Sequence, residues 1–304
     1  MIKFLNKYKA YILGMYAFLI LLHFALKDYI FPFNVLFYAT PLILIILFGV
    51  FTTIIFSKNK KVFYSLTIVL GLLIFNWFSN YYNLPKTRTN NAKDSAVLFW
   101  NIAKNTKGFP LNIISKKVEE SPVNILTFVE TDSISNTEFE TLKKELKMYS
   151  FKKLKGNMII GIKGEIKSVI YQTKEKSYKY NNVTAVVNNN IIKILIADVY
   201  ANPFNNKTKA LKTIINYSEE NKIDFIIGDF NTPYESIHFN TYKKNFTSFR
   251  EYSEGFTATW PFGIPLLELD QIWFSNTIYG LKLNKYNYNF SDHQLLIAEY
   301  ILKN

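Results

Sequence analysis

Three apolar runs in the first 82 residues constrain the fold of this 304-residue chain more than any other feature. They cover residues 10–26, 30–56 and 62–82, and none contains a lysine, arginine, aspartate or glutamate. Because a helix needs about 20 mostly apolar residues to cross a bilayer, each run is long enough for one crossing. The sequence therefore predicts a membrane anchor with three transmembrane helices over residues 1–82, which contacts the lipid bilayer through residues 10–82.

The first run has only 17 residues, a length that also fits the apolar part of a signal peptide. The residues that follow it, Lys27, Asp28 and Tyr29, offer no cleavage site of small residues, and two further apolar runs come after them. This pattern favours an uncleaved first helix. Pro32 and Pro41 lie near the start of the second run and should set its entry or kink it.

Short basic segments indicate the orientation of the anchor. Three lysines precede the first run and three separate the second from the third, whereas the loop between the first and the second carries one lysine beside one aspartate. Positive loops remain in the cytoplasm, so three crossings predict a multi-pass protein of the cytoplasmic membrane with the rest of the chain on the extracytoplasmic side. Lys86, Arg88 and Lys93 follow the third run and argue for the opposite orientation.

The net charge of +13 suggests a nucleic-acid partner until the charges are located. Residues 1–93 carry +9 of that charge, and residues 94–304 carry only +4. The basic excess therefore belongs mainly to the membrane anchor. The chain contains no cysteine, which excludes disulfides, thiolate metal sites and cysteine nucleophiles.

Residues 83–93 are typical of a linker, and residues 94–304 predict a mixed α/β catalytic domain. Its predicted helices include an amphipathic segment over residues 207–220 and a helix over residues 137–148 that Thr137 and Glu140 open as a capping box. Short apolar runs between the helical segments predict strands. The predicted strands cover residues 97–102, 124–129, 158–162, 167–171, 182–187, 191–199, 224–228, 269–275, 281–288 and 294–300.

Polar residues stand at the ends of several predicted strands. If the last two of these strands run opposite to the earlier ones, all of these residues meet at one edge of the fold. Carboxylate and amide oxygens suit Mg²⁺ or Mn²⁺, and a histidine beside an aspartate suits proton transfer or phosphate contact. This chemistry is typical of metal-assisted phosphoester hydrolysis. The residues are Asn101, Glu130, Tyr200, Asp229, Asn231, Asp270, Asp292 and His293.

The sequence reads Gly-Asp-Phe-Asn at residues 228–231 and Ser-Asp-His at residues 291–293. These two motifs resemble those of the endonuclease/exonuclease/phosphatase superfamily, which has the deoxyribonuclease I-like fold. Thr259-Trp260-Pro261, which leads to Leu269-Asp270, resembles the membrane-anchored bacterial branch of that superfamily. The resemblance covers residues 97–300 and implies a four-layer α/β/β/α sandwich, here preceded by the three transmembrane helices.

The resemblance also implies roles for the residues at the strand ends. Asp229 would hold the metal ion or activate the attacking water, and Asp270 would orient His293, which would stabilise the transition state or act as acid or base. Asn231 and Tyr200 would contact the phosphate. The implied ligands of Mg²⁺ or Mn²⁺ are Glu130, Asn101, Asp229 and Asp292.

Two positions depart from the family pattern. Many members have a histidine where this chain has Tyr200, although apurinic endonucleases have a tyrosine in a comparable place. Many members of the membrane-anchored branch have a histidine where this chain has Gln271. The first departure puts a two-histidine mechanism in doubt, and the second is expected to shape the site without abolishing metal binding.

These observations predict a membrane-anchored, divalent-metal-dependent phosphoester hydrolase that acts on lipid phosphate or phosphodiester headgroups outside the cytoplasmic membrane. A tethered site meets lipid substrates at high effective concentration. An extracellular-side nuclease is the alternative within the enzyme class, and a catalytically silent binding module on the same scaffold is the alternative outside it. The sequence indicates no protein partner, and it leaves the natural substrate, the number of metal ions and the oligomeric state open.

Overall fold

The computed structural model of the chain describes residues 2–84, 95–102, 108–172 and 178–303. The chain divides into two compact units, Met1–Asn83 and Leu84–Asn304. Residues 85–93 of the predicted linker lie outside the described residues.

The described part of the first unit consists of helices joined by short turns, apart from its last residues. Its apolar interior is built from Tyr16, Leu42, Ile45, Ile46, Phe56, Leu66 and Leu73, and many other large apolar side chains face outward, as they do in a protein that lies in lipid. The helices are α1 (Ile2–Leu21), which continues through a π-helical turn at Leu22–Leu26, α2 (Phe33–Ala39), α3 (Leu42–Ile55) and α4 (Lys60–Tyr81).

Two segments of this unit, Lys7–Leu26 and Lys60–Tyr81, are long and apolar enough to cross a membrane. Between them, α2 and α3 together form a pair that is bent by 81° at the break before Leu42, so this pair is either a broken span or a re-entrant loop. Pro41 immediately precedes α3 and cannot donate a backbone hydrogen bond, which explains why the helix breaks there. The expected effect of this proline is confirmed, and the unit contains two or three candidate spans.

The second unit contains two six-stranded sheets. The strands of the first sheet are β1 (Ser95–Asn101), β2 (Val123–Val129), β3 (Ser150–Leu154), β4 (Met158–Ile162), β11 (Ile278–Tyr286) and β12 (Leu295–Leu302). Those of the second are β5 (Gly164–Tyr171), β6 (Tyr178–Val187), β7 (Asn190–Val199), β8 (Phe225–Asp229), β9 (Thr247–Ser248) and β10 (Asp270–Phe274). The first sheet has the strand order β11-β12-β1-β2-β4-β3, and the second has the order β9-β10-β8-β7-β6-β5.

Alternating side chains along the central strands build a four-layer α/β/β/α sandwich. In β1, Val97 and Phe99 pack in the core between the sheets, whereas Ala96, Leu98 and Trp100 pack on the helical side of the first sheet. The fold class predicted from the sequence is therefore confirmed. The helices are α5 (Leu111–Glu120) and α6 (Asn136–Glu145) on the first sheet and α7 (Lys207–Glu220) and the short α8 (Tyr242–Asn245) on the second.

Each sheet has one central pair of parallel strands, β1 with β2 and β7 with β8. The last strands run against them, because β10 pairs antiparallel with β8 and β12 pairs antiparallel with β1. The carboxyl ends of the parallel strands therefore lie beside the amino ends of β10 and β12. This is the arrangement that brings the polar residues of the strand ends to one edge.

Several local predictions are wrong. The capping box of α6 consists of Ser135 and Glu138, not Thr137 and Glu140, and the helix ends at Glu145. Ser135 is favoured because Glu138 also accepts a hydrogen bond from the backbone N–H of Phe109, a distant residue that a local pattern does not include. The strands predicted over residues 167–171, 182–187 and 281–288 begin three or four residues earlier, and the last of them ends at Tyr286. The strand over residues 150–154 was not predicted.

Candidate active site

Four of the predicted residues stand at the ends of central strands. Asn101 is the last residue of β1, and Glu130 directly follows β2, the parallel neighbour of β1. Asp229 is the last residue of β8 and lies opposite Asp270, the first residue of β10. Each sheet therefore contributes two polar side chains to the same edge of the sandwich.

A direct hydrogen bond joins the two sheets at this edge. The Asn101 side-chain amide donates to Oδ2 of Asp229 over 2.8 Å, and both groups are buried. Asn231 donates to the same carboxylate twice, from its backbone N–H over 2.8 Å and from its side chain over 3.0 Å. Burial raises the pKa of Asp229 well above its ordinary value, although the nearby His293 opposes this effect. Asp229 is therefore rigidly oriented.

The glycine before Asp229 is required by the close approach of two backbones. A Cβ at Gly228 would collide with the backbone of Ala197 in the neighbouring strand β7. The Gly-Asp pair of the motif thus combines tight packing of two parallel strands with a carboxylate at the strand end.

His293 is held by Asp270. Its Nδ1 lies 2.9 Å from Oδ2 and 3.1 Å from Oδ1 of Asp270, so Nδ1 donates to this carboxylate and Nε2 points away from it. Nε2 lies 3.9 Å from an oxygen of Asp229 and 3.9 Å from an oxygen of Asp292. Burial lowers the pKa of His293, but the three carboxylates outweigh it and raise the pKa to about 10. His293 is therefore a cation at neutral pH, with a proton on Nε2 that faces the two acids.

Backbone contacts fix the segment that carries His293. The Ser291 hydroxyl donates to the backbone oxygen of Asn101 over 2.7 Å and accepts the backbone N–H of His293 over 3.0 Å. The Trp100 indole donates to the backbone oxygen of His293 over 3.1 Å. The Ser-Asp-His motif is thus tied to the end of β1, which explains the serine.

Asp292 and Glu130 are the more open carboxylates of the site. Asp292 is exposed and accepts the indole N–H of Trp260 over 2.8 Å. Glu130 is half-buried, has a left-handed backbone conformation with φ of 54°, and makes no hydrogen bond or ion pair within the described part of the chain. Both acids can therefore offer oxygen atoms to a ligand.

The residues present fit a hard divalent cation. Asp229, Asp270 and His293 offer ligand atoms that lie within 4.8 Å of one another. However, both oxygens of Asp270 are engaged by His293, which makes this pair better suited to proton transfer than to metal ligation. The predicted ligands Glu130, Asn101, Asp229 and Asp292 carry the carboxylate and amide oxygens that Mg²⁺ or Mn²⁺ prefers, and of the three carboxylates only Asp229 belongs to the group of ligand atoms within 4.8 Å.

Tyr200 directly follows β7 at the same edge, with an exposed side chain whose hydroxyl bonds no other described residue. Gln271 does not face the site as a ligand. It is buried, its amide donates to the backbone oxygens of Thr232 and Glu268, and its oxygen accepts the Trp273 indole. Gln271 thus has a structural role, and its effect on metal binding stays a prediction.

The sequence reasoning missed Lys207 as a residue of this edge. Lys207 is the first residue of α7, yet it is buried, and its ammonium group donates to the backbone oxygen of Tyr200. Burial lowers its pKa to about 8, although Asp229 and Asp198 favour its charged form. The only signal in the sequence was its place seven residues after Tyr200, and an exposed lysine at a helix start has the same pattern.

The sequence matches no protein-family model, and it matches no characterised protein closely enough to establish a relationship. Solved structures, however, match the fold. A Bacteroides thetaiotaomicron protein described as an endonuclease/exonuclease/phosphatase family protein aligns with a TM-score of 0.55 and 11% identity, over 69% of this chain and 98% of the other. The second unit has the endonuclease/exonuclease/phosphatase fold.

Two further solved structures with this fold belong to proteins that are described differently. D. rerio TDP2, complexed with a single-stranded DNA product, aligns with a TM-score of 0.52 and 11% identity, over 68% of this chain and 99% of the other. A Bacteroides thetaiotaomicron mannosyl-6-phosphatase aligns with a TM-score of 0.53 and 11% identity, again over 68% and 99%. The fold predicted from the two motifs is confirmed, and it occurs in proteins that act on different phosphate compounds.

Proposed function

We propose that this protein is a membrane-anchored phosphoester hydrolase that depends on Mg²⁺ or Mn²⁺. The observation that carries the proposal is the geometry of His293, which is held by Asp270 and directs Nε2 toward Asp229 and Asp292. A catalytic acid beside a hard-cation site is the combination that phosphoryl chemistry requires. A catalytically silent binding module would not need both the acid and the hard-cation site.

Each residue has a role that follows from its contacts. Asp270 keeps the Nε2 proton of His293 directed into the site, where it can pass to the ester oxygen that leaves phosphorus. Asp229, oriented by Asn101 and Asn231, accepts a proton from the attacking water as the water oxygen bonds to phosphorus and the ester P–O bond breaks. A bound divalent ion would supply Lewis-acid polarisation of the phosphoryl group.

We further propose that the substrate is a lipid phosphate or phosphodiester. The two or three candidate spans support it, because a domain tethered to a bilayer meets lipid headgroups at high local concentration. Tyr178, Tyr180 and Tyr242 stand beside lysines in the sequence, a pattern that can stack nucleic-acid bases. The three side chains are buried in the core on the second sheet, so they offer no surface to a base.

The test measures how fast the full chain hydrolyses a lipid phosphate in phospholipid vesicles, with and without Mg²⁺ or Mn²⁺. EDTA should abolish turnover, and added Mg²⁺ or Mn²⁺ should restore it. Glu130→Gln keeps the shape of the side chain but removes one charge, so the apparent metal affinity should fall by at least about tenfold. Glu140→Gln, which changes an exposed glutamate of α6, is the matched control and should leave the affinity unchanged.

His293→Ala tests the proposed acid. Turnover should fall by about 10² to 10⁴-fold, the range that general acid–base catalysis contributes. Undiminished hydrolysis by this variant, or by the wild-type protein in EDTA, would contradict the mechanism.

A further inference from the structure

A loop beside the site combines apolar composition with exposure. Residues 256–267 contain no charged residue, and the tip of this segment reads Pro-Phe-Gly-Ile-Pro over residues 261–265. Phe262 is 43% exposed and Ile264 is 74% exposed. Exposed loops of soluble proteins are usually polar, and a cluster of exposed apolar side chains marks an interaction surface. We call residues 260–267 the apolar loop.

The apolar loop is a defined structure with a closed base. The backbone N–H groups of Leu266 and Leu267 donate to the oxygen of Trp260 over 2.7 and 2.9 Å, and Thr259 donates to Leu267 over 2.8 Å. These bonds hold the two ends of the loop together, so Phe262 and Ile264 lie at its far end. The exposed side chains are therefore presented by a fixed hairpin.

The base of the apolar loop is hydrogen-bonded to the active site through two adjacent residues at the start of the loop. The Trp260 indole donates to Asp292, and the Thr259 hydroxyl accepts the backbone N–H of Asp270 over 3.1 Å. The tip of the loop is only a few residues along the chain from Trp260, whose indole holds Asp292 beside His293. A molecule that contacts the tip is therefore close to the candidate active site.

A second apolar segment lies at the same edge. Tyr200 and Phe204 follow the carboxyl end of β7, which lies beside the end of β8 that carries Asp229, and their side chains are 49% and 65% exposed. Two segments at the edge that carries the site therefore expose aromatic side chains.

The short segment between the candidate spans and β1 limits how far the second unit can be from the bilayer. The candidate spans end at Tyr81, and eleven residues separate Asn83 from Ser95, where β1 begins. A fully extended segment of this length covers at most roughly 40 Å, so the domain cannot leave the vicinity of the membrane. Tryptophan, proline and phenylalanine around a charge-free tip suit the boundary between headgroups and acyl chains, where an indole has one polar and one apolar side.

We propose that the apolar loop inserts Phe262 and Ile264 into the bilayer surface and thereby brings a lipid phosphate headgroup to Asp292 and His293. Trp260 is the positioning residue between the inserted tip and the site. The inference rests on the proposed function for its substrate, whereas insertion of the loop is a separate, measurable property.

Insertion is tested with the full chain in vesicles of equimolar phosphatidylcholine and phosphatidylglycerol. Because the chain has no cysteine, Ile264→Cys creates a single site for an environment-sensitive fluorophore. Ile191→Cys is the matched control, since Ile191 is 70% exposed and lies at the opposite end of β7 from the site. Lipids with a nitroxide on the acyl chain should quench the label at position 264 and not at position 191. Equal quenching at the two positions, or none at position 264, would overturn insertion.

The kinetic test uses one headgroup in two physical states. The double variant Phe262→Ser/Ile264→Ser should lose about tenfold in kcat/KM on long-chain phosphatidic acid in vesicles, because the headgroup is no longer held at the site. It should hydrolyse dihexanoyl phosphatidic acid, which is soluble in water, at the wild-type rate. Ile191→Ser should change neither rate. Equal losses on both substrates would overturn the delivery of lipid by the loop.

The two measurements separate the failure of this inference from the failure of the proposed function. Quenching at position 264 in a protein that hydrolyses neither form of phosphatidic acid would refute the lipid phosphate as substrate and leave insertion standing. Hydrolysis of both forms without quenching would leave the enzyme standing and refute insertion.

Discussion

At the scale of single residues, the state of His293 decides how the site works. Three carboxylates surround it, and their combined effect exceeds that of burial, so the pKa of His293 rises to about 10. Because this value lies above the ordinary histidine pKa near 6.5, protonation favours the folded state. The resulting stabilisation is complete below about pH 6.5 and is lost as the pH rises toward about 10.

Asp270→Asn should lower the pKa of His293 toward its ordinary value, because it removes the carboxylate that touches Nδ1. Residues 94–304 contain only two histidines, His238 and His293, so the ring signals in an NMR titration are readily assigned. Asp224 accepts hydrogen bonds from the backbone N–H of Lys193 and the hydroxyl of Thr277, and it is not a partner of His293. Asp224→Asn is the control and should leave the titration of His293 unaltered. A pKa that does not fall in Asp270→Asn would mean that Asp270 is not its main partner.

The sequence identifies those site residues that stand at the ends of predicted strands, because a strand end fixes the edge of the sheet at which a side chain lies. Asn101, Asp229 and Asp270 stand at strand ends, and the structure brings them together with His293 as that pattern predicts. Trp260 was recognised only as part of a motif, because its bond to Asp292 spans 32 positions in the chain. A contact of this kind depends on the finished fold, and no local pattern contains it.

At the scale of elements, the start of α6 separates a local pattern from the observed cap. Ser135→Ala should lower the free energy of unfolding of the second unit by about 1 kcal/mol, since Ser135 accepts the N–H of Glu138 and Glu138 bonds back. Thr137→Ala, the residue favoured by the sequence pattern, should change it by less than about 0.5 kcal/mol. Urea unfolding followed by circular dichroism measures both. A larger loss for Thr137→Ala would contradict the observed cap.

Strands that are buried on both faces were predictable as elements, because their apolar runs are continuous. β1, β2 and β8 lie where these runs predict them, within two residues at each end. The hairpin between β6 and β7 was also predictable, since Asn188 and Asn189 adopt the left-handed conformation that asparagine tolerates. The break between α2 and α3 was foreseen from proline, but its angle of 81° depends on packing.

At the scale of the whole molecule, the break between α2 and α3 decides how many times the chain crosses the membrane. The number of crossings decides on which side of the membrane the second unit lies. If α2 and α3 cross as one broken span, three crossings place the two ends of the chain on opposite sides. If they form a re-entrant loop, two crossings place both ends on the same side, and the lysines 58, 60 and 61 would lie outside. The positive-inside rule favours three crossings.

Cysteine labelling of intact cells measures this topology. Ser57→Cys, in the exposed turn before α4, should resist a membrane-impermeant maleimide until the cells are opened. Ile191→Cys, in the second unit, should react with it in intact cells. The opposite result would mean that the α2–α3 pair is re-entrant and that the second unit acts in the cytoplasm.

The choice between lipid and nucleic acid also belongs to this scale, because it depends on the distribution of charge. Binding of DNA through several phosphate contacts weakens steeply with salt, as the logarithm of affinity falls nearly in proportion to the number of contacts. Residues 94–304 carry only +4, so binding of DNA should be weak and sensitive to salt, and cleavage should be slow or absent. Lipid turnover should instead be higher for the full chain in bilayers than for residues 94–304 alone.

The decisive comparison is turnover of single-stranded DNA against lipid phosphate at about physiological ionic strength, with Glu130→Gln as the blank for each substrate. The anchored chain should cleave lipid phosphate faster, and raising the salt concentration should reduce its activity on DNA far more than its activity on lipid. A nuclease that uses this fold would show the reverse order, and the anchor would then make no difference to lipid turnover. In that case the exposed aromatic side chains of Tyr200 and Phe204 would be the surface on which to seek base stacking.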